Sequence, residues 1–183
     1  DSVIDTYHTN PEVMALTNSH QVNLYSFEQD LLVDSVLSDI ESHDPIHTLS
    51  IKVGPNNDIA LYSSEKINGC YFNLITPYND YLCIKENLNS ENITIKFDQF
   101  GNVYFSDQSP LNSPVSDLSI YKFDPFENTL TTIKQSSIIN WDITQDGLVY
   151  YVENDLYDNN LLKTINPTTE TENFIAAATS FEV

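Results

Sequence analysis

An all-β fold of about four repeated four-stranded antiparallel units is predicted by three observations. One segment type recurs with a 44-residue period, each copy is followed downstream by an alternating run that ends in a proline turn, and polar turn residues separate all of these short runs. The clearest copies of the first segment are Ile51–Tyr62, Ile95–Phe105 and Ile139–Tyr151, in which an apolar alternating run leads through a polar turn into a second run. Each contributes two strands.

The elements follow in order. In the N-terminal repeat the four strand positions fall to Val3–Tyr7, Val13–Leu16, Val22–Phe27 and Leu31–Val36. Between Asp30 and Ser42 the residues Leu32, Val33, Val36, Leu37 and Ile40 also fall at helical spacing, so an amphipathic helix competes there; the other three copies favour a strand. In the second repeat, Phe72–Pro77 and Tyr81–Lys85 supply the third and fourth strands after the pair in Ile51–Tyr62. Tyr121–Pro125 with Thr129–Lys134, and Leu162–Pro167 with Glu172–Ala176, do the same for the third and fourth repeats. The turns are served by Asn, Asp, Ser and Pro, with four glycines in all. The approximate repeats are 1–45, 46–89, 90–134 and 135–183 of a single domain.

One four-stranded sheet of this length cannot bury both of its faces, whereas sheets packed face to face bury the alternating Ile, Val, Leu, Tyr and Phe side chains. The pairs Tyr104-Phe105 and Tyr150-Tyr151 put one ring on each face of a strand, the pattern of a strand buried between two neighbours.

This period and strand pattern resembles the β-propeller superfamily, in particular the irregular, low-identity blade repeats of extracellular and periplasmic bacterial proteins. The Gly-His and Trp-Asp signature of the tryptophan-aspartate repeat is missing, because Trp141-Asp142 lies on the first strand of its repeat. The resemblance implies blades arranged about an axis, with ligands held by loops joining strands two to three and four to one. Those loops would be Thr17–Gln21, Ser38–His47, Ser63–Gly69, Glu86–Glu91, Ser106–Asp117, Gln135–Ser137 and Glu153–Asn160. Four blades make the smallest ring, and an open stack exposes sheet edges. Phe181–Val183 follows Pro167 at the spacing with which Ile139 follows Pro125, as the start of a fifth inner strand would. The expectation is a chain that overlaps its own beginning or, in preference, a piece of a larger propeller.

Composition narrows the partners. With 27 acidic against 7 basic residues the net charge is -20, which repels polyanions and anionic lipid, so nucleic acid is an unfavourable partner. No apolar run approaches the roughly 20 residues of a membrane helix, so no membrane insertion is expected. The acidic surface and the start at Asp1 fit an extracellular or periplasmic protein or an excised piece. Cys70 and Cys83 could bridge in an oxidising compartment, whereas the repeat alignment puts them on adjacent strands out of register, which weighs against a disulfide and leaves their redox state open.

Chemical signatures are sparse. No nucleophile elbow, phosphate-binding glycine loop, Cys-x-x-Cys pair or His-Glu-x-x-His sequence occurs. Glu153, Asp155, Asp158 and Asn160 cluster hard oxygen donors of the kind Ca2+ takes, against the alternative of a polar turn. His43 and His47 flank Asp44 and Pro45 in a weaker zinc candidate. Glu65, Asp107 and Glu153 could supply carboxylates for glycoside chemistry, but so many acids make any dyad arbitrary. The first functional expectation is a non-catalytic binding or scaffold domain for a protein or carbohydrate partner. The alternatives are a fragment of a propeller enzyme, such as a glycoside hydrolase or lyase, and an assembly module that completes a ring with a second copy or a partner chain through its open edges, leaving monomer and edge-paired oligomer both open.

Overall fold

A computed structural model describes residues 2–6, 13–18, 21–26, 31–35, 48–76, 80–89, 93–108, 117–155 and 159–178. Every regular element among them is a strand, and the strands form four separate antiparallel sheets in simple meander order. The first holds β1 (Ser2–Thr6), β2 (Val13–Asn18), β3 (Gln21–Ser26) and β4 (Leu31–Ser35). The second holds β5 (Thr48–Val53), β6 (Ile59–Ile67), β7 (Cys70–Ile75) and β8 (Tyr81–Lys85). The third is β9 (Ile95–Phe97), β10 (Val103–Gln108), β11 (Leu118–Asp124) and β12 (Thr129–Ser136). The fourth is β13 (Ile138–Ile143), β14 (Val149–Asn154), β15 (Asn160–Asn166) and β16 (Thr171–Ala178). This is the all-β, four-by-four architecture that the repeat predicts. β1 lies against β5 and β5 against β9, so the first strands of the first three sheets are neighbours, as in a stack of blades, and β13 of the fourth sheet lies against β11 of the third.

Leu31–Ser35 is a strand paired to β3, which settles the strand-versus-helix competition for those five residues; the rest of the ambiguous segment lies outside the described residues. So do His43, His47 and Phe181–Val183.

The sheets share one internal register. The second and third strands of each begin their pairing at Val13↔Ser26, Ile59↔Ile75, Val103↔Phe123 and Val149↔Ile165. Counting from these pairs gives equivalent positions in all four sheets. Because side chains alternate across a strand, each sheet has one face towards the sheet before it and one towards the sheet after it, called here incoming and outgoing. The seam between the second and third sheets joins Ala60, Tyr62, Phe72 and Leu74 on an outgoing face to Val103, Phe105 and Phe123 on an incoming one. The next seam joins Tyr104 and Ile120 to Trp141, Val149, Tyr151 and Ile165. Tyr104 and Phe105 are thus both fully buried, one ring in each seam, as the paired aromatics predict. Phe105 also meets Phe72 edge-on at 4.9 Å between centroids and stacks on Tyr121 at 5.1 Å.

The two cysteines are out of register, as the repeat alignment places them, but the weighting against a bridge is corrected. Asn73, not Cys70, is the backbone partner of Cys83, yet Cys70 and Cys83 form a disulfide with their Cα atoms 5.7 Å apart. The register shifts between Tyr62 and Ile67 on one side of β7 and between Phe72 and Asn73 on the other, and the Asn73 amide donates to the Cys70 carbonyl at 2.9 Å. A regular ladder would keep the two cysteines apart; these bulges re-aim the start of β7.

Candidate functional site

At the end of the sheets where second strands lead into third strands, equivalent positions carry Ser63 on β6, Asp107 on β10 and Glu153 on β14. All three are buried. Asp107 is inaccessible to solvent, a position a carboxylate holds only when it is paired. Lys85, at the end of β8 in the preceding sheet, donates to Asp107 Oδ2 at 2.8 Å, and the Asn89 backbone N–H donates to Oδ1 at 2.9 Å. The Lys85 ammonium also sits 4.0 Å from the centre of the Tyr121 ring, a cation–π contact.

The next seam repeats the device with more members. Lys134 on β12 is register-equivalent to Lys85 and reaches Glu172 Oε2 at 2.8 Å, while Lys163 binds Glu153 Oε1 and lies 3.2 Å from Glu172 Oε1. Ser136 donates to Glu153 Oε2 at 2.6 Å. Burial alone raises the pKa of Glu172, but its contacts with Lys134, Tyr151 and Lys163 outweigh that and hold it down at about 2. Glu153 is shifted the same way, burial raising its pKa and the Lys163 and Ser136 bonds lowering it further. Lys163 is raised in return, chiefly by its bond to Glu153. The Tyr151 hydroxyl is buried beside Glu172 without a well-formed hydrogen bond, and burial followed by that carboxylate raises its pKa.

Of the calcium candidate, the three described residues have the following partners. Glu153 turns into the seam towards Lys163 and Ser136. Asp155 accepts the Asn159 backbone N–H at 2.9 Å and the Asn159 amide at 3.0 Å, closing the β14–β15 turn. Asn160 pairs with Asn154 at the start of β15, and Asp158 lies outside the described residues. No cluster of three or more His, Cys, Asp or Glu able to hold a metal occurs among the described residues.

At the opposite end, a cavity of about 220 Å³ is bounded by Asp98, Tyr104, Lys122, Asp146 and Asn166, among others. Asp98 is committed to its own turn: Oδ1 accepts the N–H groups of Phe100 and Asn102, each at 3.0 Å, and Oδ2 accepts the Asn102 amide at 2.7 Å. Its Oδ2 also accepts the Tyr104 hydroxyl at 3.2 Å.

The outgoing face of the fourth sheet is different in kind. Tyr150, Val152 and Leu162 stand at the positions of Tyr104, Ser106 and Ile120 in the third sheet and of Ala60, Tyr62 and Phe72 in the second. All six residues of those earlier faces are buried, whereas Tyr150, Val152 and Leu162 are half-buried. They line an open cleft of about 310 Å³ with Asn140, Asp142 and Lys96. Lys96 binds Asp142 at 2.7 Å across the mouth of that cleft and lies 5.7 Å from the Trp141 ring centre. The sequence hides this site, because Tyr150-Tyr151 repeats Tyr104-Phe105 so closely that it predicts burial on both faces.

No protein-family model matches the chain, and no curated protein does. Among solved structures it is similar to an oligogalacturonate lyase in complex with manganese, at 14% identity and a TM-score of 0.56 over 93% of this chain and 43% of that one. It is also similar to a putative 6-phosphogluconolactonase from Bacteroides uniformis, at 13% identity and a TM-score of 0.47 over 92% of this chain and 52% of that one. The chain spans less than half the length of the lyase. The first likeness supports a propeller-like fold and no particular subfamily.

Proposed function

We propose that this propeller-like blade array is a non-catalytic scaffold whose working surface is the outgoing face of its fourth sheet, and that its partner is protein supplying a further β-sheet. The observation that carries the reading is the half-burial of Tyr150, Val152 and Leu162 at positions buried in the two preceding sheets. A flat, pleated face with an apolar centre and a polar margin of Asn140 and Asp142 matches another sheet in shape and chemistry. The buried acids of the seams fit the same role. Asp107 and Glu153 are engaged by lysines and hydrogen-bond donors that fix one sheet on the next.

The test is site-specific photo-crosslinking, with the reactive group placed at Val152 or Leu162 and, as a control, at the almost fully exposed Phe126. Discrete products from the first two positions and none from Phe126 are expected. Equal labelling at all three, or none at Val152 and Leu162, would remove the basis for the reading.

A second reading, a segment of a propeller enzyme, takes its support from the likeness to the lyase. Incubating the chain with oligogalacturonate and manganese tests it directly. Formation of a new unsaturated product, lost on substitution of residues at the loop end, would displace the scaffold reading.

A further inference from the structure

The cavity of about 220 Å³ between the third and fourth sheets shares no lining residue with the cleft on the fourth sheet. Asp98, Phe100, Asn102 and Lys122 of the third sheet bound it on one side, Asp146 and Asn166 of the fourth on the other. The register shows why the seam opens here. Lys122 lies opposite Tyr104 as Leu74 lies opposite Ala60 in the second sheet. Leu74 is fully buried in the apolar core of the preceding seam, whereas Lys122 is half-buried and borders open space.

Lys122 also differs from the other cations. Lys85, Lys96, Lys134 and Lys163 form ion pairs, but no hydrogen bond or ion pair joins Lys122 to another described residue. Two amides beside it have one end committed. Asn166 Oδ1 accepts the N–H groups of Thr168 and Thr169 at 2.9 and 3.2 Å, which leaves its NH2 group to donate. The Asn102 amide donates to Asp98 Oδ2 at 2.7 Å, which leaves its carbonyl oxygen to accept. The cavity thus offers two donors, Lys122 and Asn166, and one acceptor, Asn102, with exposed Asp146 as a further acceptor.

Charge and shape narrow the ligand. A cation would meet the Lys122 ammonium, and the oxygens of Asp98 already take four hydrogen bonds from Phe100, Asn102 and Tyr104. An anion would meet two carboxylates against one ammonium. Hydroxyl groups, which both donate and accept, suit the mixed set. Phe100 is 66% exposed and adds an aromatic face, whose negative π cloud suits the C–H face of a sugar ring. The volume is below the roughly 300 Å³ at which sites for drug-sized ligands begin, so the cavity suits a single ring.

We propose that this cavity is a binding site for one neutral pyranose sugar, held by Lys122, Asn102 and Asn166 with its ring against Phe100. The site is independent of the scaffold surface, and a ligand in it ties the third sheet to the fourth.

The experiment is a titration of the isotope-labelled full chain with D-glucose, D-galactose and D-mannose, and separately with D-glucuronate, followed by NMR. Saturable shifts of the backbone N–H signals of Asn102, Leu148 and Thr168 are expected with at least one neutral hexose, together with a raised thermal midpoint. Lys122→Leu restores the residue type of the second sheet, so it should fold and bind that hexose about tenfold more weakly or worse. Asn166→Asp keeps the oxygen that closes the turn and removes the NH2 group, and a similar loss is expected; it carries the test should Lys122→Leu not fold. No saturable shift with any of the three hexoses, tighter binding of glucuronate than of all of them, or unchanged affinity in the folded variants would overturn the proposal. Crosslinking at Val152 reads the scaffold surface separately, so either idea can fail without the other.

Discussion

Lys85 at the end of the second sheet places its ammonium 2.8 Å from Asp107 Oδ2 in the third, and the two residues are 22 positions apart in the chain. The carboxylate is fully buried and the lysine one-fifth exposed, so the pair is a cross-blade tie with one end withdrawn from water. Removing the cation takes away the positive partner of a buried charge, which costs more than the intact pair contributes.

Lys85→Met is therefore expected to cost about 3–5 kcal/mol, the range for breaking a buried pair from one side. Combining it with Asp107→Asn should cost less than the two single changes added together. Urea unfolding of the two single variants and the double one gives the coupling directly. Additive losses would mean the pair is not energetically linked.

The Glu172 and Glu153 pair predicts an acid dependence with a definite sign. Both carboxyls titrate lower in the fold than in the unfolded chain, Glu172 at about 2 against 4.5. Their contribution is present above the unfolded value and disappears as the pH falls through the folded one. The stability gap between wild type and Glu172→Gln should thus narrow steadily from pH 5 to pH 2. A gap that stays constant over this range would show that Lys134 and Lys163 do not favour the charged form.

Asp58 predicts the opposite trend. Burial raises its pKa above 3.8, opposed by a bond from Asn56. Folding therefore favours the protonated form, and stability from this group falls as the pH rises through the raised value. Asp58→Asn should raise the thermal midpoint at pH 7, and the advantage should vanish below pH 3.8. A variant less stable than wild type at pH 7 would mean the charged form is satisfied in place.

Gly147 sits at φ 84°, and a Cβ there would lie 2.5 Å from the Tyr104 hydroxyl and 3.1 Å from Asp98 Oδ2. Gly147→Ala should cost about 1–3 kcal/mol from the backbone conformation, with the steric overlap added to it. Tyr104→Phe in the same chain removes the overlap and leaves the backbone term, so partial rescue is expected in thermal unfolding.

The disulfide should contribute roughly 2–3 kcal/mol, given the short loop it closes between Cys70 and Cys83. Denaturant midpoints with and without reductant measure it. Replacing both cysteines by serine should abolish the difference between the two conditions.

The strands were legible because alternation survives single-residue drift: Tyr81–Lys85 is read from the sequence with the bounds it has in the fold. The first-strand register was legible in two repeats: Ile51 and Ile95 lie opposite Leu61 and Phe105 at equivalent positions, but in the fourth sheet that place belongs to Trp141, opposite Tyr151, and Ile139 falls at a register shift that the fixed spacing does not reveal. The disulfide was not, because it depends on bulges around β7, which no alternation pattern marks. The seam ion pairs escaped for another reason. Lys85 and Asp107 are ordinary residues in a chain of many acids, and only the packing of one sheet on the next makes them partners.

By itself the sequence determined the all-β class, the number of units and which residues face alternate sides of each strand, because these follow from local periodicity and turn chemistry. Tertiary structure decided which of two chemically similar faces is covered. Tyr104 and Tyr150 occupy the same register position and carry the same ring, yet one is buried under the fourth sheet and the other lines an open cleft. Burial is a property of what lies across the seam, and that information is not local to the strand.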